Sequence, residues 1–427
     1  MLASTALLSR TVGALHDSSF RLLWSATVLS FVARAMEATL LAWFVLDLTD
    51  SPFQVALVGV FGWTPLILLG LVGGALADSV DRRRLFAATL TVNLIAVLLM
   101  TLVLAADLAR VWHAYAVIFV TGSGFALGMA ARRSLIHDIV GKDRLTNAVA
   151  IDTLGGNASI MLGPAIAGVI ISAGSVTVGY MAVSTSFAMS LLFLWRLQPP
   201  GGARRGIGEA RMFGTLVSGL RYVGGHTTLL ATVLVAVVMN LTITPYIQMV
   251  PVIARDVLHV EPDRMGFLIS GHGFGAFVGA FVVASAASIR YHGRIYITGS
   301  MVALFAVLMF SFSGSYWLSL VIVMGAGLGN AGFNTMQMSL TMLLPREDMR
   351  GAALGAMSLG IGAGPAGMLI TGWMARTIGT PNALTANAVV GMAALALIAL
   401  LVPSLRRKTV PGDDARARVA SNPAVRP

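Results

Sequence analysis

The sequence predicts an all-α membrane protein that crosses the bilayer twelve times. Three observations lead to this prediction: 57% of the 427 residues are hydrophobic, only 11% are charged, and long uncharged runs separate the charges. A soluble domain carries about 25% charged residues, so this chain lacks the charge needed to cover a water-exposed surface. A spanning helix needs about 20 consecutive apolar residues, and the uncharged runs are long enough to supply them.

Each uncharged run is assigned to one span or to two. Residues 51–77 and 85–106 hold 27 and 22 uncharged residues, enough for one span each. Residues 153–195 and 295–345 hold 43 and 51, and a small-polar stretch interrupts each run, so each predicts two spans. Helices are expected because lipid satisfies no backbone hydrogen bonds and the short alternating strands of a barrel are missing. The predicted spans are residues 22–46, 53–77, 85–106, 112–131, 147–171, 177–196, 228–253, 266–289, 295–313, 317–337, 351–375 and 382–402.

The basic residues predict the orientation of the chain. With a cytoplasmic N-terminus, nearly all of the 29 Lys and Arg residues lie on cytoplasmic segments, and Arg34 lies within the first span. This asymmetry follows the positive-inside rule, so both termini are expected in the cytoplasm. The net charge of +11 is thereby explained by topology, without nucleic acid as a partner. The basic residues expected on the opposite side are Arg110, Arg255, Arg264 and Arg376.

The chain divides into two halves that resemble each other. A stretch rich in Pro, Gly and Arg predicts a cytoplasmic linker at 198–226, with a short amphipathic helix at about 209–223. It separates six-helix bundles at 1–197 and 227–403, and a polar tail at 404–427 is expected to be disordered. Gly163-Pro164 in span five recurs as Gly364-Pro365 in span eleven, each after a related loop sequence. Two six-helix pseudo-repeats around a central site are typical of one transporter architecture, although two long helical halves can also share Gly-Pro by chance.

The turn between spans two and three carries a charged motif. Residues 74–83 read GALADSVDRR and resemble the major facilitator superfamily signature G-x-L-a-D-R-x-G-R-R. The preceding WFVLDLTDSPFQVALVGVFGWTPLILLG is similar to the drug, macrolide and siderophore exporter branch, of the enterobactin-exporter type. The resemblance implies the twelve-helix fold of that superfamily and transport by alternating access. It also implies a bacterial cytoplasmic (inner) membrane location.

The same motif suggests a cytoplasmic gate. Gly74 is small enough for close helix contact. The resemblance implies that Asp78 locks the cytoplasmic side when it is closed, with Arg82 as its partner. Asp81 and Arg83 complete the motif, and Ser79 stands where the family usually has Arg, which leaves a second ionic contact open. The alternative is that the arginines only anchor the turn on the cytoplasmic side.

A second motif lies in span five. Residues 159–168, SIMLGPAIAG, resemble the family's antiporter motif G-x-x-x-G-P-x-x-G-G through Gly163, Pro164 and Gly168, with Ser159 and Ala167 in place of glycines. Pro164 removes a helix hydrogen bond and is expected to bend the span. In the family this motif accompanies exporters that exchange substrate for ions. Packing of small residues without any transport role is the alternative.

Charged residues inside the spans are the candidates for ion coupling. Arg34 and Glu37 lie three residues apart in span one and share a helix face. Because an ionisable residue is costly in the bilayer, it is a functional candidate by default, and Glu37 is our candidate for binding a proton or a cationic substrate. The alternative is a static Arg34–Glu37 pair. Asp152 is a second carboxylate candidate, and span four lacks the arginine that the family links to proton transport.

Polar residues of spans seven and ten are candidates for lining a substrate cavity, with ordinary packing as the alternative. His272, in a Gly-rich part of span eight, is expected to pack rather than to couple ions. No phosphate-binding loop, metal-ligand cluster or cysteine occurs, so neither ATP, a metal nor another cofactor is expected. The cavity candidates are Asn240, Thr244, Tyr246, Gln248, Asn330, Asn334 and Gln337.

These features predict a monomeric secondary transporter, and not an enzyme. It would export a small amphipathic or hydrophobic compound, drug-like or siderophore-like, in exchange for protons. An importer, or a lipid or lysolipid flippase, on the same fold is the alternative within transport. A membrane enzyme would require clustered catalytic groups that the sequence lacks, and a sensor would keep the fold without transporting anything.

Overall fold

The computed structural model describes residues 13–197, 219, 221–285 and 290–407. These ranges contain helices and no strand, and 12 of the helices are long and apolar enough to cross a membrane. We name the spanning helices α1 to α12 in chain order. They are Ser18–Thr49, Pro52–Ser79, Arg82–Ala105, Val111–Gly141, Asp143–Ala173, Val176–Arg196, Thr227–Asp256, Pro262–Ser285, His292–Ser311, Tyr316–Leu343, Glu347–Ile378 and Thr380–Leu401.

Side-chain caps explain where several helices begin. The Asp17 carboxylate accepts hydrogen bonds from the backbone N–H groups of Ser19 and Phe20, at 2.8 and 3.2 Å, and starts α1. Asp81 caps α3 by accepting from the N–H of Arg84 at 2.9 Å. These three bonds satisfy N–H groups that have no partner within the helix.

A glycine and a proline account for two interruptions in the spanning region. Gly141 has φ +68°, a left-handed conformation that separates α4 from α5 and that glycine adopts at little cost. In α7 the regular helix stops at Thr242 and resumes at Thr244, just before Pro245. Proline cannot donate a helical hydrogen bond and its ring crowds the preceding turn, which accounts for the break.

The outward surface of the helices is apolar. Leu102, Phe281 and Leu401 expose 66%, 69% and 71% of their area. A water-soluble protein seldom exposes large apolar side chains over so much of its surface. Lipid therefore covers these faces, and the chain is a multi-pass membrane protein.

The described residues group into two compact units. The first contains α1, α2 from Phe61 onward, α3 to α6, and Val260–Ser270 at the beginning of α8. Within it α1 packs against α4, α5 and α6, and α3 packs against α4 and α6. Phe20, Tyr180 and Phe187 are fully buried in this unit.

The second unit contains the first turns of α2, Ser51–Val60, together with α7, α8 from Gly271 onward, and α9 to α12. Within it α9 packs against α10 and α12, and α7 packs against α11 and α12. Tyr246, Tyr296 and Phe310 are buried at its centre.

Each predicted span overlaps one of the twelve helices, but one loop expectation is wrong. The predicted spans leave residues 132–146 to a cytoplasmic turn, but His137 and Asp138 lie in the last turns of α4, which runs on to Gly141 rather than ending near residue 131. Neither Gly nor Pro interrupts the chain between these points, so the helix continues beyond the apolar stretch. Residues 286–289 of the predicted eighth span, most of the linker and its short helix, and the tail beyond residue 407 lie outside the described residues.

Candidate functional site

Arg34 and Glu37 lie near the middle of α1, inside the first unit. Glu37 is 0% exposed, and neither carboxylate oxygen has a hydrogen bond of ordinary geometry within the described part of the chain. The Arg34 guanidinium donates instead to the carbonyl oxygen of Gly62 at 2.9 Å and to the Thr121 hydroxyl at 3.5 Å. Its Cζ atom lies 5.0 Å from the centre of the Phe125 ring. Groups of α2 and α4 therefore hold Arg34, while Glu37 is near enough to interact with it electrostatically.

The remaining groups around Glu37 are neutral. Thr121 of α4 and Tyr180 of α6 are the polar side chains that interact with the carboxyl group. Tyr180 is 0% exposed, and its hydroxyl also has no hydrogen-bond partner among the described residues. A buried carboxylate with few hydrogen-bond donors around it needs a nearby cation to stabilise its ionised form. For Glu37 that cation is Arg34.

Asp152, the second carboxylate candidate, is paired. Both of its oxygens accept from one nitrogen of Arg132, whose side chain is only 6% exposed. The pair joins the end of α4 to the beginning of α5, and the Arg132 guanidinium also lies 4.9 Å from the centre of the Phe31 ring. These contacts link α4 to α5 across the break at Gly141.

The charged turn between α2 and α3 is tied to the ends of two other helices. Arg82 donates to both carboxylate oxygens of Asp138 in α4, at 2.7 and 2.5 Å. Arg83 donates to the last carbonyl groups of α6, at Leu194 (3.2 Å) and Trp195 (2.7 Å). Such carbonyl groups lack partners within the helix, and a nearby cation stabilises them.

The proposed gate residue cannot be placed in this way. Asp78 and Gly74 both belong to α2. The side chain of Asp78 and the surroundings of Gly74 lie outside what the structure describes. The carboxylate that Arg82 contacts is instead that of Asp138, which no motif of the sequence singles out. Asp81 is the exposed cap of α3.

The span-five motif lies at two close helix contacts within the first unit. A Cβ at Gly163 would lie 2.5 Å from the Cβ of Ala35, so α5 approaches α1 closely there. A Cβ at Gly168 would lie 2.4 Å from the carbonyl oxygen of Pro262 and 3.0 Å from the Cα of Gly266. Pro164 lies between the two glycines, and its carbonyl oxygen faces Gly266. Only glycine allows the backbones to approach to these distances.

The repeated motif in α11 makes corresponding contacts within the second unit. A Cβ at Gly367 would lie 2.5 Å from the carbonyl oxygen of Leu241 in α7. A Cβ at Gly372 would lie 2.5 Å from the Cβ of Ala56 and 3.3 Å from the Cα of Phe53, at the beginning of α2. Thus α11 meets α7 and α2 much as α5 meets α1 and α8.

The polar candidates of α7 lie in different surroundings. Asn240 and Thr244 are one turn apart and hydrogen-bonded at 3.4 Å, and both are partly exposed. The amide nitrogen of Gln248 packs against Gly59 of α2, 2.3 Å from where a Cβ would lie. Tyr246 is buried and faces the interior of the second unit.

Tyr246, His272 and Asn330 form one buried polar cluster. The Tyr246 hydroxyl is hydrogen-bonded to Nδ1 of His272, and the Asn330 amide lies 3.4 Å from Nε2 of the same ring. Close approach of α8 to α10 makes the cluster possible, because a Cβ at Gly327 would lie 2.0 Å from the carbonyl oxygen of His272. His272 is thus packed between helices, as expected, and its two ring nitrogens face Tyr246 and Asn330. Of the remaining α10 candidates, Asn334 is exposed and Gln337 is buried.

A small cavity lies inside the first unit, between α1, α3, α4 and α6. Its volume is about 30 Å³, and Arg34, Asn93 and Arg132 contribute its most polar groups. No cluster of three or more His, Cys, Asp or Glu side chains capable of holding a metal occurs within the described ranges.

Comparison with known proteins identifies the family. Residues 9–425 match the transmembrane secretion effector family of the major facilitator superfamily. The chain belongs to this family. It is therefore a transporter of the major facilitator superfamily rather than an enzyme, with 12 membrane-spanning helices.

Relatives of this superfamily member include efflux pumps. It is 24% identical to the multidrug efflux pump Tap of Mycolicibacterium fortuitum over 376 residues, 85% of this chain and 90% of that protein. It is 24% identical to the enterobactin exporter EntS of Escherichia coli over 403 residues, 90% of this chain and 91% of that protein. The fold resembles an inward-facing, unoccupied bacterial homologue of the human lysosomal transporter Spinster, with TM-score 0.71, 14% identity, and 92% and 98% coverage. At that identity the likeness concerns the fold alone.

The sequence did not reveal several polar residues of this transporter. Asn93, Arg132 and Tyr180 are buried within the first unit. Single polar residues in apolar helices carry no periodic signal, since any of them can face a neighbouring helix or the lipid. The Asn93 amide lies against Gly124, and only the packing of α3 on α4 brings the two together.

Proposed function

We propose that this protein exports a small amphipathic or hydrophobic compound from the bacterial cytoplasm, in exchange for protons and by alternating access. Glu37 is the proton-binding group. The protein acts as a monomer in the cytoplasmic (inner) membrane, with both termini in the cytoplasm. Its six-helix halves, residues 1–197 and 227–403, move so that a central site opens to one side at a time.

The cargo class and direction rest on the family and on its relatives. The family description refers to secretion, and the relatives are pumps for several drugs and for enterobactin. The orientation rests on the arginine-rich turns, because basic loops stay on the cytoplasmic side. Two of the cavity candidates of α7, Asn240 and Thr244, are partly exposed and neutral, which suits a weakly polar cargo.

The observation that carries the coupling proposal is the complete burial of Glu37, whose carboxyl oxygens have no hydrogen bond of ordinary geometry within the described residues. A carboxyl group couples proton movement to transport when burial disfavours its charge and opening to water restores it. Asp152 is less suited to this role because Arg132 neutralises it. Arg34 is held by Gly62 and Thr121, which leaves the Glu37 carboxyl free to gain and lose a proton without rearranging a direct ion pair.

Alternating access is supported by the two glycine-dependent contacts. Within the first unit, Gly168 of α5 meets Gly266 of α8, and within the second unit, Gly372 of α11 meets Phe53 of α2. Each contact joins a helix of one sequence half to a helix of the other. The topology expected from the basic residues assigns both contacts to helix ends away from the cytoplasm, and we propose that both open when the site faces outward.

The test uses purified protein in liposomes with an imposed pH gradient and a panel of fluorescent amphipathic compounds. Glu37→Gln is expected to abolish gradient-driven accumulation while retaining exchange of substrate across the membrane without a gradient. Asp47→Asn is the matched control, because Asp47 is an exposed carboxylate on the same helix. We expect the control to transport at the wild-type rate.

Other outcomes distinguish the alternatives. Full gradient-driven transport by Glu37→Gln would remove Glu37 from the mechanism. Accumulation in the opposite direction would indicate an importer, and movement of labelled lysolipid between leaflets would indicate a flippase. Wild-type protein that moves none of these compounds, in either direction, would favour a sensor.

A further inference from the structure

Two residues that line the cavity inside the first unit have polar atoms without a hydrogen-bond partner in the described part of the chain. Asn93 is 5% exposed, and its Oδ1 atom accepts no hydrogen bond from any described residue. Arg132 is also 5% exposed, and its Nε–H has no acceptor there. Both residues line the cavity, as does Arg34. Burying a polar group without a hydrogen-bond partner is unfavourable, so a bound molecule that pairs with these atoms would stabilise the site.

The chemistry of these atoms indicates water as the ligand. Asn93 offers an acceptor, while Arg132 and Arg34 offer donors, and only a small molecule that both donates and accepts satisfies all three. A cavity volume of about 30 Å³ accommodates about two water molecules, since each water molecule needs roughly 10–15 Å³ of cavity volume.

Packing holds the polar atoms in place around the cavity. A Cβ at Gly124 would lie 2.1 Å from Oδ1 of Asn93, so the amide is pressed against the backbone of α4. Arg132 is fixed by Asp152 and by the face of the Phe31 ring. Because protein interiors are closely packed, these contacts hold both polar side chains at the edge of a largely apolar cavity.

We propose that this cavity is an internal hydration site for the Arg34 guanidinium. Its role in transport rests on the proposed function of Glu37. When Glu37 binds a proton, Arg34 loses the negative charge nearest to it, and water in the cavity then solvates the guanidinium. The charged groups facing Arg34 and the cavity are Glu37 on α1, Arg132 on α4 and its partner Asp152 on α5. Without the water, protonation of Glu37 would leave Arg34 with the Gly62 carbonyl oxygen, the Thr121 hydroxyl and the Phe125 ring but with no neighbouring anion.

The hydration site is tested by cysteine accessibility, because the chain contains 0 cysteines. Ser30 lines the cavity and is 7% exposed. Its replacement Ser30→Cys is nearly isosteric. The probe is methyl methanethiosulfonate, which is small and neutral and reacts with the thiolate that forms only in a hydrated site. Ser190→Cys is the matched control, since Ser190 is 0% exposed and bonded to the Ala26 carbonyl oxygen away from the cavity.

We expect Ser30→Cys to react at least tenfold faster than Ser190→Cys. Adding Asn93→Leu should slow the reaction at least tenfold by filling the cavity with an apolar side chain, and Asn93→Ala should speed it by enlarging the cavity. Equal rates for the two cysteines would overturn the proposal, and so would the same rate in the Asn93→Leu and Asn93→Ala backgrounds. Opposite effects of the two Asn93 changes cannot arise from general loss of folding.

A transport measurement separates the two proposals. Asn93→Leu is expected to lower gradient-driven transport at least fivefold while sparing substrate exchange. If Glu37→Gln proves fully coupled but the cysteine rates are as expected, the proposed function fails and the hydration site stands. If the Glu37 result holds and Asn93→Leu transports at the wild-type rate, the hydration site has no part in coupling and that part of the inference is overturned.

Discussion

Arg82 donates both of its hydrogen bonds to the carboxylate of Asp138, at 2.7 and 2.5 Å, and so ties the turn after α2 to the end of α4. The side chains are 32% and 21% exposed, so solvent weakens the pair. In a double-mutant cycle of Arg82→Gln and Asp138→Asn, we expect a coupling of about 0.5–1 kcal/mol in thermal unfolding. Independent effects of the two changes would contradict the contact.

The crossing of α8 and α10 depends on Gly275. A Cβ there would lie 1.9 Å from the carbonyl oxygen of Met324, which is backbone and cannot move aside. Gly275→Ala is expected to lower the free energy of unfolding by about 1–3 kcal/mol, as overpacking does. Gly325→Ala in α10 is the control, because nothing lies within 4 Å of its Cβ position, and it should gain up to about 1 kcal/mol. Equal unfolding temperatures for the two variants would show that the helices do not cross this closely.

Two buried tyrosines provide a test of the Tyr246–His272–Asn330 cluster. Tyr246→Phe leaves a nitrogen of His272 without its partner and is expected to cost about 1–3 kcal/mol. Tyr180→Phe removes a buried hydroxyl that has no partner among the described residues, so it should cost nothing or stabilise the protein. Thermal unfolding of the purified variants compares them. A larger loss for Tyr180→Phe than for Tyr246→Phe would contradict the hydrogen-bond assignment.

The contact between α5 and α8 is expected to open and close during transport. The backbone N–H of Asp263 donates to the Ser172 hydroxyl at 2.9 Å. In the cysteine-free chain, Ser172→Cys with Asp263→Cys should form a disulfide under mild oxidation, and the disulfide should stop transport until it is reduced. Ser172→Cys with Asp256→Cys is the control pair and should not crosslink. A crosslinked protein that transports at the full rate would show that this contact does not need to open.

The sequence was sufficient for the fold because spanning helices follow from length and apolarity alone. Each predicted span overlaps a helix, and the Gly-Pro repeats fall at related positions in α5 and α11. The partners of individual side chains were not predictable. Arg82 meets Asp138 because α4 continues as a helix past its apolar stretch, and Asn93 meets Gly124 because two helices pack at one particular rotation. Hydrophobic periodicity predicts neither the extension of α4 nor the rotation at which the two helices pack.

Protonation of Glu37 is the central claim, and substrate-induced proton release from the purified protein tests it most directly. A pH indicator in weakly buffered detergent solution would record protons released when an amphipathic substrate is added. We predict release by the wild type and by Asp47→Asn, and at least a fivefold smaller release by Glu37→Gln that still binds the substrate. Proton release by Glu37→Gln equal to that of the wild type would contradict the account.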